Sequence, residues 1–590
     1  VDARLGGHQK GRVDQRLTST SAAPKAAAAT FFAMLERSHA RACALLIALS
    51  LLLFLPGFVG LPPMDRDEPR FAQASKQMLE THDFVAIRFQ EEARNKKPVG
   101  IYWLQAASVT LAERLGLDEA RSSIFIYRIP SLAGAIAAVL LTYWTGLAWL
   151  ERRYAILAAA LMAATVLLGV EARLAKTDAV LTATVIAAMG ALGRVFAARS
   201  GASSVPRGQG FASEAAIFWL AIAAGALIKG PITLMVVALA ALALSVRQRL
   251  AGAGFWIWLK PLADWRAILL AILLVTPWCV AIAVATHGAF FTDAVGGDML
   301  GKVAGAKEAH GAPPGTYVVA ALVTLWPIMP FFVIAIPAVW RRRREDAVTF
   351  LLAWLVPSWL IFEAVPTKLP HYVLPLCPAV ALLVAFVAQQ GELRLDRGWK
   401  RVAAILLPLV PVVIALVIPY ATLLYGDRTE LAGAAVVLVA GLLAGFAAFR
   451  LGRNEVVAAV AYACLAAAAL AVGAYRLTIP HLQAFMLSPR LVATLAKGPC
   501  RPDAIATAGF NEPSLVFLTR TDLALMDGTG AARFILGGGC RAAFVDIRQE
   551  GEFSETLAKL GVTPRPIARV FGVNLNGGRH LDIGVYVNGG

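Results

Sequence analysis

Long apolar runs decide most of what this chain can become. Stretches approaching the roughly 20 residues that span a bilayer recur between residues 42 and 475. In lipid the backbone must satisfy its own hydrogen bonds, so each run is committed to helix. About thirteen spans are expected, at 42–61, 129–150, 154–170, 178–196, 215–228, 231–246, 267–285, 317–339, 348–361, 369–388, 402–420, 431–449 and 456–475. Charged residues make up 16% of the chain, against about 25% in ordinary soluble domains. The net charge of +17 would suggest a nucleic-acid partner in a soluble protein. Here the basic residues lie in short loops between spans. Anionic lipid headgroups and topology account for them, and no nucleic acid is expected.

The loops alternate in Lys and Arg. One set holds Arg152 and Arg153; Arg194, Arg199 and Arg207; Arg247, Arg249, Lys260 and Arg266; Arg341, Arg342, Arg343 and Arg344; Arg394, Arg397, Lys400 and Arg401; Arg450 and Arg453. The other holds Arg173, Lys176, Lys229, Lys302, Lys307, Lys368 and Arg428. Nineteen against seven makes the first set cytoplasmic. The basic N-terminus should share that side. Both conditions hold only if the short apolar stretch 98–111 does not cross, with 112–128 read as a polar helix after it. Residues 62–128 then form one external loop with juxtamembrane helices. The region 215–246 is too long for one span and is broken at Lys229-Gly230-Pro231, which predicts two short helices meeting at the outer face. One strongly tilted helix is the alternative.

Residues 1–40 are basic, rich in Ala, Ser and Thr, and lack apolar periodicity, as a disordered leader would. The first span is expected to act as an uncleaved anchor. An odd span count puts 476–590 outside. The pattern there changes to strand-like runs at 504–508, 533–536, 542–547, 570–575 and 581–587, with a hairpin signal at 576–578 and a helical stretch at 552–560. The fold class is therefore an all-α polytopic membrane protein, 41–475, followed by a small soluble α/β domain, 476–590. Cys43, Cys279, Cys377 and Cys464 fall in apolar runs. Cys500 and Cys540 fall in the tail and can pair if it faces an oxidising compartment.

Unusual polar residues converge on the external face. Asp65, Asp67, Glu68, Arg70, Lys96 and Lys97 belong to the first loop. Glu171, Arg173, Lys176, Asp178, Lys229, Lys368, His371 and Tyr372 come from later loops. Charges this close to hydrocarbon are costly without a task. Carboxylates can position or deprotonate an acceptor, or hold an amine. Arg and Lys can stabilise a leaving phosphate. Such a site suits an anionic, lipid-borne substrate. Lys76 and Lys302 read instead as snorkelling or ion-paired side chains. His287 and His310 share an external loop and, with Glu92 or Glu91, could clip loops together through Zn²⁺.

Asp67-Glu68-Pro69-Arg70-Phe71 after the first span, Lys96-Lys97-Pro98, the Arg173…Lys176-Thr177-Asp178 loop, the Lys229-Gly230-Pro231 break and Lys368-Leu369-Pro370-His371-Tyr372 together resemble the GT-C glycosyltransferases of the protein O-mannosyltransferase-like superfamily. The arrangement is most similar to the bacterial 4-amino-4-deoxy-L-arabinose transferases that modify lipid A. The resemblance covers 42–475; the tail matches only in position and size. It implies an undecaprenyl-phosphate-linked sugar donor, a lipid A phosphate acceptor, no required cofactor, and a monomer in the bacterial inner membrane. It implies that Asp67 and Asp178 are the two acidic catalytic positions. Arg70, Lys97 and Lys368 would lie near the carrier phosphate, with Glu68, His371 and Tyr372 close by. Lys96 departs from the family pattern, where a variable, often acidic, neighbour is expected. Three other readings compete: the same fold mannosylating protein hydroxyls, a lipid flippase or transporter, and a passive cell-envelope scaffold. The second would favour internal repeats and midplane charges, which this chain does not display.

Overall fold

The computed structural model describes residues 38–64, 67–199, 212–301, 311–563, 565–574 and 577–588, with the side chains of 298–300 excepted. The expected leader therefore lies outside the described residues apart from its last three positions. So do Asp65, Arg207, Lys302, Lys307 and His310.

Ten helices among the described residues are long and apolar enough to cross a membrane. The three remaining expected spans are also helical but short or broken. The first, His39–Phe54, stops seven residues early, because Pro56 lacks a donor and Gly57 follows at φ +76°. The second divides into Arg152–Ala164 and Val166–Glu171, with Thr165 extended between them. The third divides into Thr316–Thr324 and Ile328–Arg341 around Pro327. Helix Gly100–Arg114 is not among the ten, in line with a non-crossing 98–111. The polar helix expected across 112–128 does not form. Gly116 at φ +83° ends the preceding helix, turns fill 115–123, and a new helix, Ile124–Gly146, begins. The break at Lys229 is present: helices Ala212–Lys229 and Ile232–Leu250 meet at Gly230, φ +66°, and Pro231.

Helix Asp178–Arg199 is the axis of the bundle. It is apolar on every side, and so it is buried on nearly every side. Helices Ile124–Gly146, Ala212–Lys229, Ile232–Leu250 and Asp346–Ala364 surround it. Lipid tails give helices no hydrophobic reason to associate, so close approach through small residues matters. A Cβ on Gly134 would fall 2.8 Å from the backbone N and Cα of Val180. The basic loops gather at one end of this bundle. Arg247 donates to the Arg344 carbonyl at 2.5 Å, Arg341 and Arg342 both bind Glu392, and the Glu151 N–H donates to Gln389.

The C-terminal domain sits at the opposite end. After a two-residue strand pair in the first loop, β1 (Arg88–Phe89) and β2 (Glu92–Ala93), its own sheet comprises β3 (Ala504–Ala508), β4 (Ala524–Met526), β5 (Arg541–Asp546), β6 (Ala568–Val573) and β7 (His580–Asn588). The order is β4-β3-β5-β7-β6. β3 runs parallel to β4 and β5, whereas β7 is antiparallel to β5 and β6. The strand expected at 533–536 is instead the end of helix Gly528–Ile535. Asp527 caps that helix by accepting from the Gly530 N–H at 2.7 Å, and Ala531, Ala532 and Ile535 bury one helical face. β4 has too few residues to register as a strand run. Cys500 and Cys540 form a disulfide.

A fully buried ion pair ties the bundle to the first loop. Arg128 donates to Glu68 through Nε at 2.7 Å and Nη2 at 3.0 Å, and neither side chain touches solvent. The Ala175 N–H donates to Glu68 Oε1 at 2.9 Å and the Met64 N–H to Oε2 at 3.0 Å. Arg128 also donates to the carbonyls of Phe58, Leu61 and Pro62. Glu68, expected beside the carrier phosphate, is thus a joint: both its oxygens are occupied by protein donors.

Arg128→Met should destabilise the protein by about 3–5 kcal/mol, because it strands a buried carboxylate. The double variant E68M/R128M should lose less than the two single losses combined. Unfolding in detergent across the four-member cycle checks this; additive losses would show the pair to be uncoupled. Gly134→Ala should cost about 1–3 kcal/mol by forcing two helices apart, read as a lower thermal midpoint.

Candidate functional site

At the end of the bundle nearest the C-terminal domain, four chain segments deliver charge to one place. Asp178 opens the axial helix, Lys229 closes helix Ala212–Lys229, and Glu171 closes the short helix Val166–Glu171. His371 and Tyr372 lie in a 3₁₀ helix, Pro370–Leu376. An acid at a helix start and a base at a helix end both suit the macrodipole. Lys229 Nζ lies 2.5 Å from Asp178 Oδ1 and 5.3 Å from the centroid of the Tyr372 ring. The His371 ring bridges the acids, with Nδ1 3.8 Å from Glu171 Oε1 and Nε2 3.9 Å from Asp178 Oδ2. Lys176 Nζ is 3.5 Å from Glu171 Oε1. The side chain of Asp178 is 5% exposed. Among the described residues, Glu171, Asp178 and His371 are the one group whose ligand atoms converge as a metal site would require. Each carboxylate also has an ammonium partner, so the group as it stands is an ion-pair network.

Asp67 forms the second half of the site. It occupies the first turn of helix Asp67–Thr81, is 46% exposed, and lies 3.7 Å from Arg70 Nη1. Its neighbourhood contains two residues the sequence did not flag. Arg94 Nε lies 3.3 Å from the Tyr102 hydroxyl, and its guanidinium lies 5.1 Å from the centroid of the Phe71 ring. Burial pushes the Tyr102 phenol up; Arg94 opposes this and Asp67 adds to it. Arg94 is three residues before Lys97 in the same charged stretch, and that proximity was the only available signal. Tyr102 looked like any apolar-run aromatic.

The two halves are on the same side of the bundle. Glu68, next to Asp67, accepts from Ala175, three residues before Asp178. Gln105 reinforces the connection, donating to the Ala175 carbonyl at 3.1 Å and accepting from Ser75 at 2.7 Å. Arg173 staples the same loop to the first helix through the carbonyls of Pro56, at 2.7 Å, and Leu53. It lies 4.1 Å from the centroid of the Tyr475 ring, and burial lowers its guanidinium to about 10.

The other expected residues divide. Lys97 is half-buried and Lys96 exposed in the first loop. Lys368 is buried, and its ammonium donates to the carbonyls of Glu363 at 2.9 Å and Val365 at 2.7 Å, where a cation complements the end of helix Asp346–Ala364. Lys76, expected to snorkel or to be ion-paired, is buried under the C-terminal domain and donates to the Phe517 carbonyl. Of the zinc set, His287 and Glu92 are exposed and belong to no converging group among the described residues, and His310 lies outside them. The first loop is clipped to the later one by a different contact: Asn95 Nδ2 donates to Asp293 at 3.0 Å.

Comparison with known proteins agrees with this architecture. Residues 117–289 match the dolichyl-phosphate-mannose-protein mannosyltransferase family. The chain is 26% identical over 326 residues to an undecaprenyl phosphate-alpha-4-amino-4-deoxy-L-arabinose arabinosyl transferase of Yersinia pestis, covering 55% of this chain and 54% of the relative. It is 27% identical over 325 residues to the Erwinia tasmaniensis protein of the same name, covering 54% of each. The chain thus spans about half the length of the curated relatives it matches. The crystal structure of ArnT from Cupriavidus metallidurans bound to undecaprenyl phosphate superposes with a TM-score of 0.70 at 17% identity, covering 92% of this chain and 97% of that one. The apo form of the same enzyme gives 0.69 at 15% identity over the same shares. The all-α membrane bundle with its small C-terminal sheet therefore shares the fold of that ArnT structure.

Proposed function

We propose that this chain is an integral-membrane glycosyltransferase that moves 4-amino-4-deoxy-L-arabinose from undecaprenyl phosphate to a lipid A phosphate. It works as a single chain in the bacterial inner membrane, with its N-terminus cytoplasmic and its C-terminal domain periplasmic. The observation that carries the reading is the joining of a buried acid–base network around Asp178 to a half-exposed acid, Asp67, at one end of a membrane bundle. The names of the relatives supply the sugar and the carrier. The Lys and Arg distribution and the Cys500–Cys540 disulfide support the orientation.

The chemistry follows from charge. A lipid A phosphate is already anionic, so it attacks the anomeric carbon without a general base. The bond from that carbon to the carrier phosphate oxygen breaks, and its electron pair leaves with the oxygen. No proton is transferred and no cofactor is needed. Arg70 and Lys97 stabilise the departing phosphate, while Lys368, held by the carbonyls of Glu363 and Val365, contributes only its charge. Asp178 is held by Lys229 and His371, and its task is to fix those groups at the mouth of the site. Asp67, the more open acid, holds the ammonium of the aminosugar. Transfer to a protein hydroxyl would instead make Asp67 the general base.

Asp67→Asn should reduce transfer about 10–100-fold, the loss of one charge-assisted hydrogen bond, and Lys229→Met should be comparably damaging. Mass spectrometry of lipid A from cells expressing wild type or variant reads the outcome. Normal aminoarabinose addition by D67N would remove Asp67 from the essential set. Unmodified lipid A alongside mannosylated protein would favour the hydroxyl acceptor.

A further inference from the structure

The C-terminal domain does more than rest on the bundle. Its helix Pro513–Leu518 packs on helix Asp67–Thr81, and Phe517 is completely buried there. The Phe517 ring meets Tyr127 edge-on at 5.3 Å. It belongs to one apolar cluster with Ala72, Ile124, Tyr127 and Ala175. Those residues mark the three segments that converge on Glu68: the Asp67 helix, the start of the helix carrying Arg128, and the loop whose Ala175 N–H binds the carboxylate.

Polar contacts frame this anchor. Lys76 Nζ donates to the Phe517 carbonyl at 3.2 Å and lies 5.7 Å from the ring centroid. Gln73 donates to Thr521 at 2.7 Å, and Thr521 donates to Glu80 at 2.6 Å. Gln90 donates to the carbonyls of Thr521 and Leu523 at 3.0 and 2.8 Å. Its backbone also exchanges hydrogen bonds with the side chain of Gln77. The Asp67 helix is therefore gripped along its length by residues from the far end of the chain.

We infer that the C-terminal domain is a clamp on the Asp67 helix, with Phe517 as a positioning residue that keeps Asp67 in register with the Asp178 network. That Asp67 reacts rests on the function proposed above; that Phe517 holds its helix does not. Misplacing a reacting group by about 1 Å can cost about 100-fold in rate, so the clamp should appear in turnover rather than in donor affinity.

The test compares full-length wild type, Phe517→Ala, Phe517→Leu and, as a control on the same domain, the exposed Phe571→Ala. Hydrogen–deuterium exchange in nanodiscs should rise across 67–81 in F517A, with 541–546 unchanged. For transfer, kcat should fall about 10–100-fold with little change in the KM for the polyprenyl donor. F517L should restore most of both, and F571A should behave as wild type. If F517A does not accumulate, the double variant Q90A/T521A takes its place under the same readouts. Unchanged exchange across 67–81, or raised exchange with an unaltered kcat, would overturn the clamp. A wild-type protein without transfer activity would overturn the proposed function, and the exchange result alone would then decide whether the clamp exists.

Discussion

A carboxylate and a guanidinium, withdrawn from both water and lipid, hold this structure in its working arrangement. Removing either ion from water is expensive, and their mutual attraction compensates only if the remaining lone pairs and N–H groups are also satisfied. Glu68 and Arg128 meet that condition. Two backbone N–H groups complete the acid, and three carbonyls at the end of the first span complete the base. The partners come from residues 58–64, 68, 128 and 175, so satisfying one pair fixes four segments at once. Such a joint adds little net stability compared with an apolar equivalent. Its value is geometric, because a wrong register would leave a buried charge unpaired.

The remaining ionic groups sort by what that joint leaves exposed. Asp178 and Glu171 are neutralised by Lys229 and Lys176, with His371 between them. These groups pre-set a local field at little reorganisation cost. Asp67 remains half-exposed one residue from the joint. Its backbone is fixed and its side chain is accessible, which is the combination a substrate-binding acid requires. A fully buried acid could not admit a sugar, and an acid on a loose loop could not be aimed.

Much of this could be read from sequence because membranes impose strict rules. Hydropathy located the spans, and the Lys and Arg imbalance forced 98–111 out of the crossing count; the helix there is one of the short ones. Pro231 after Gly230 marked a real break. What failed did so for local reasons. The first helix stops at Phe54 because a proline outranks an apolar run. Residues 533–536 are helical because Asp527 caps a helix whose apolar spacing is too short to distinguish from a strand. The role of Glu68 was hidden for a different reason. In Asp67-Glu68-Pro69-Arg70 the two acids look alike, and only Arg128, sixty residues later, decides which one is buried. Arg94 and Tyr102 were missed likewise, since their importance comes from the side of Asp67 they face.

The placement of helix ends explains why the site is where it is. A helix that ends within a membrane protein exposes unpaired backbone groups, which are tolerated only where protein or a polar cavity meets them. Here three ends are turned to use. Asp178 sits at a positive helix start, while Lys229 and Lys368 sit at or just beyond negative helix ends. Each charge has the sign that the adjacent helix end favours, and Lys368 also binds terminal carbonyls directly. Because Gly230 and Pro231 end one helix and start another at this depth, Lys229 is delivered to Asp178 instead of pointing into lipid.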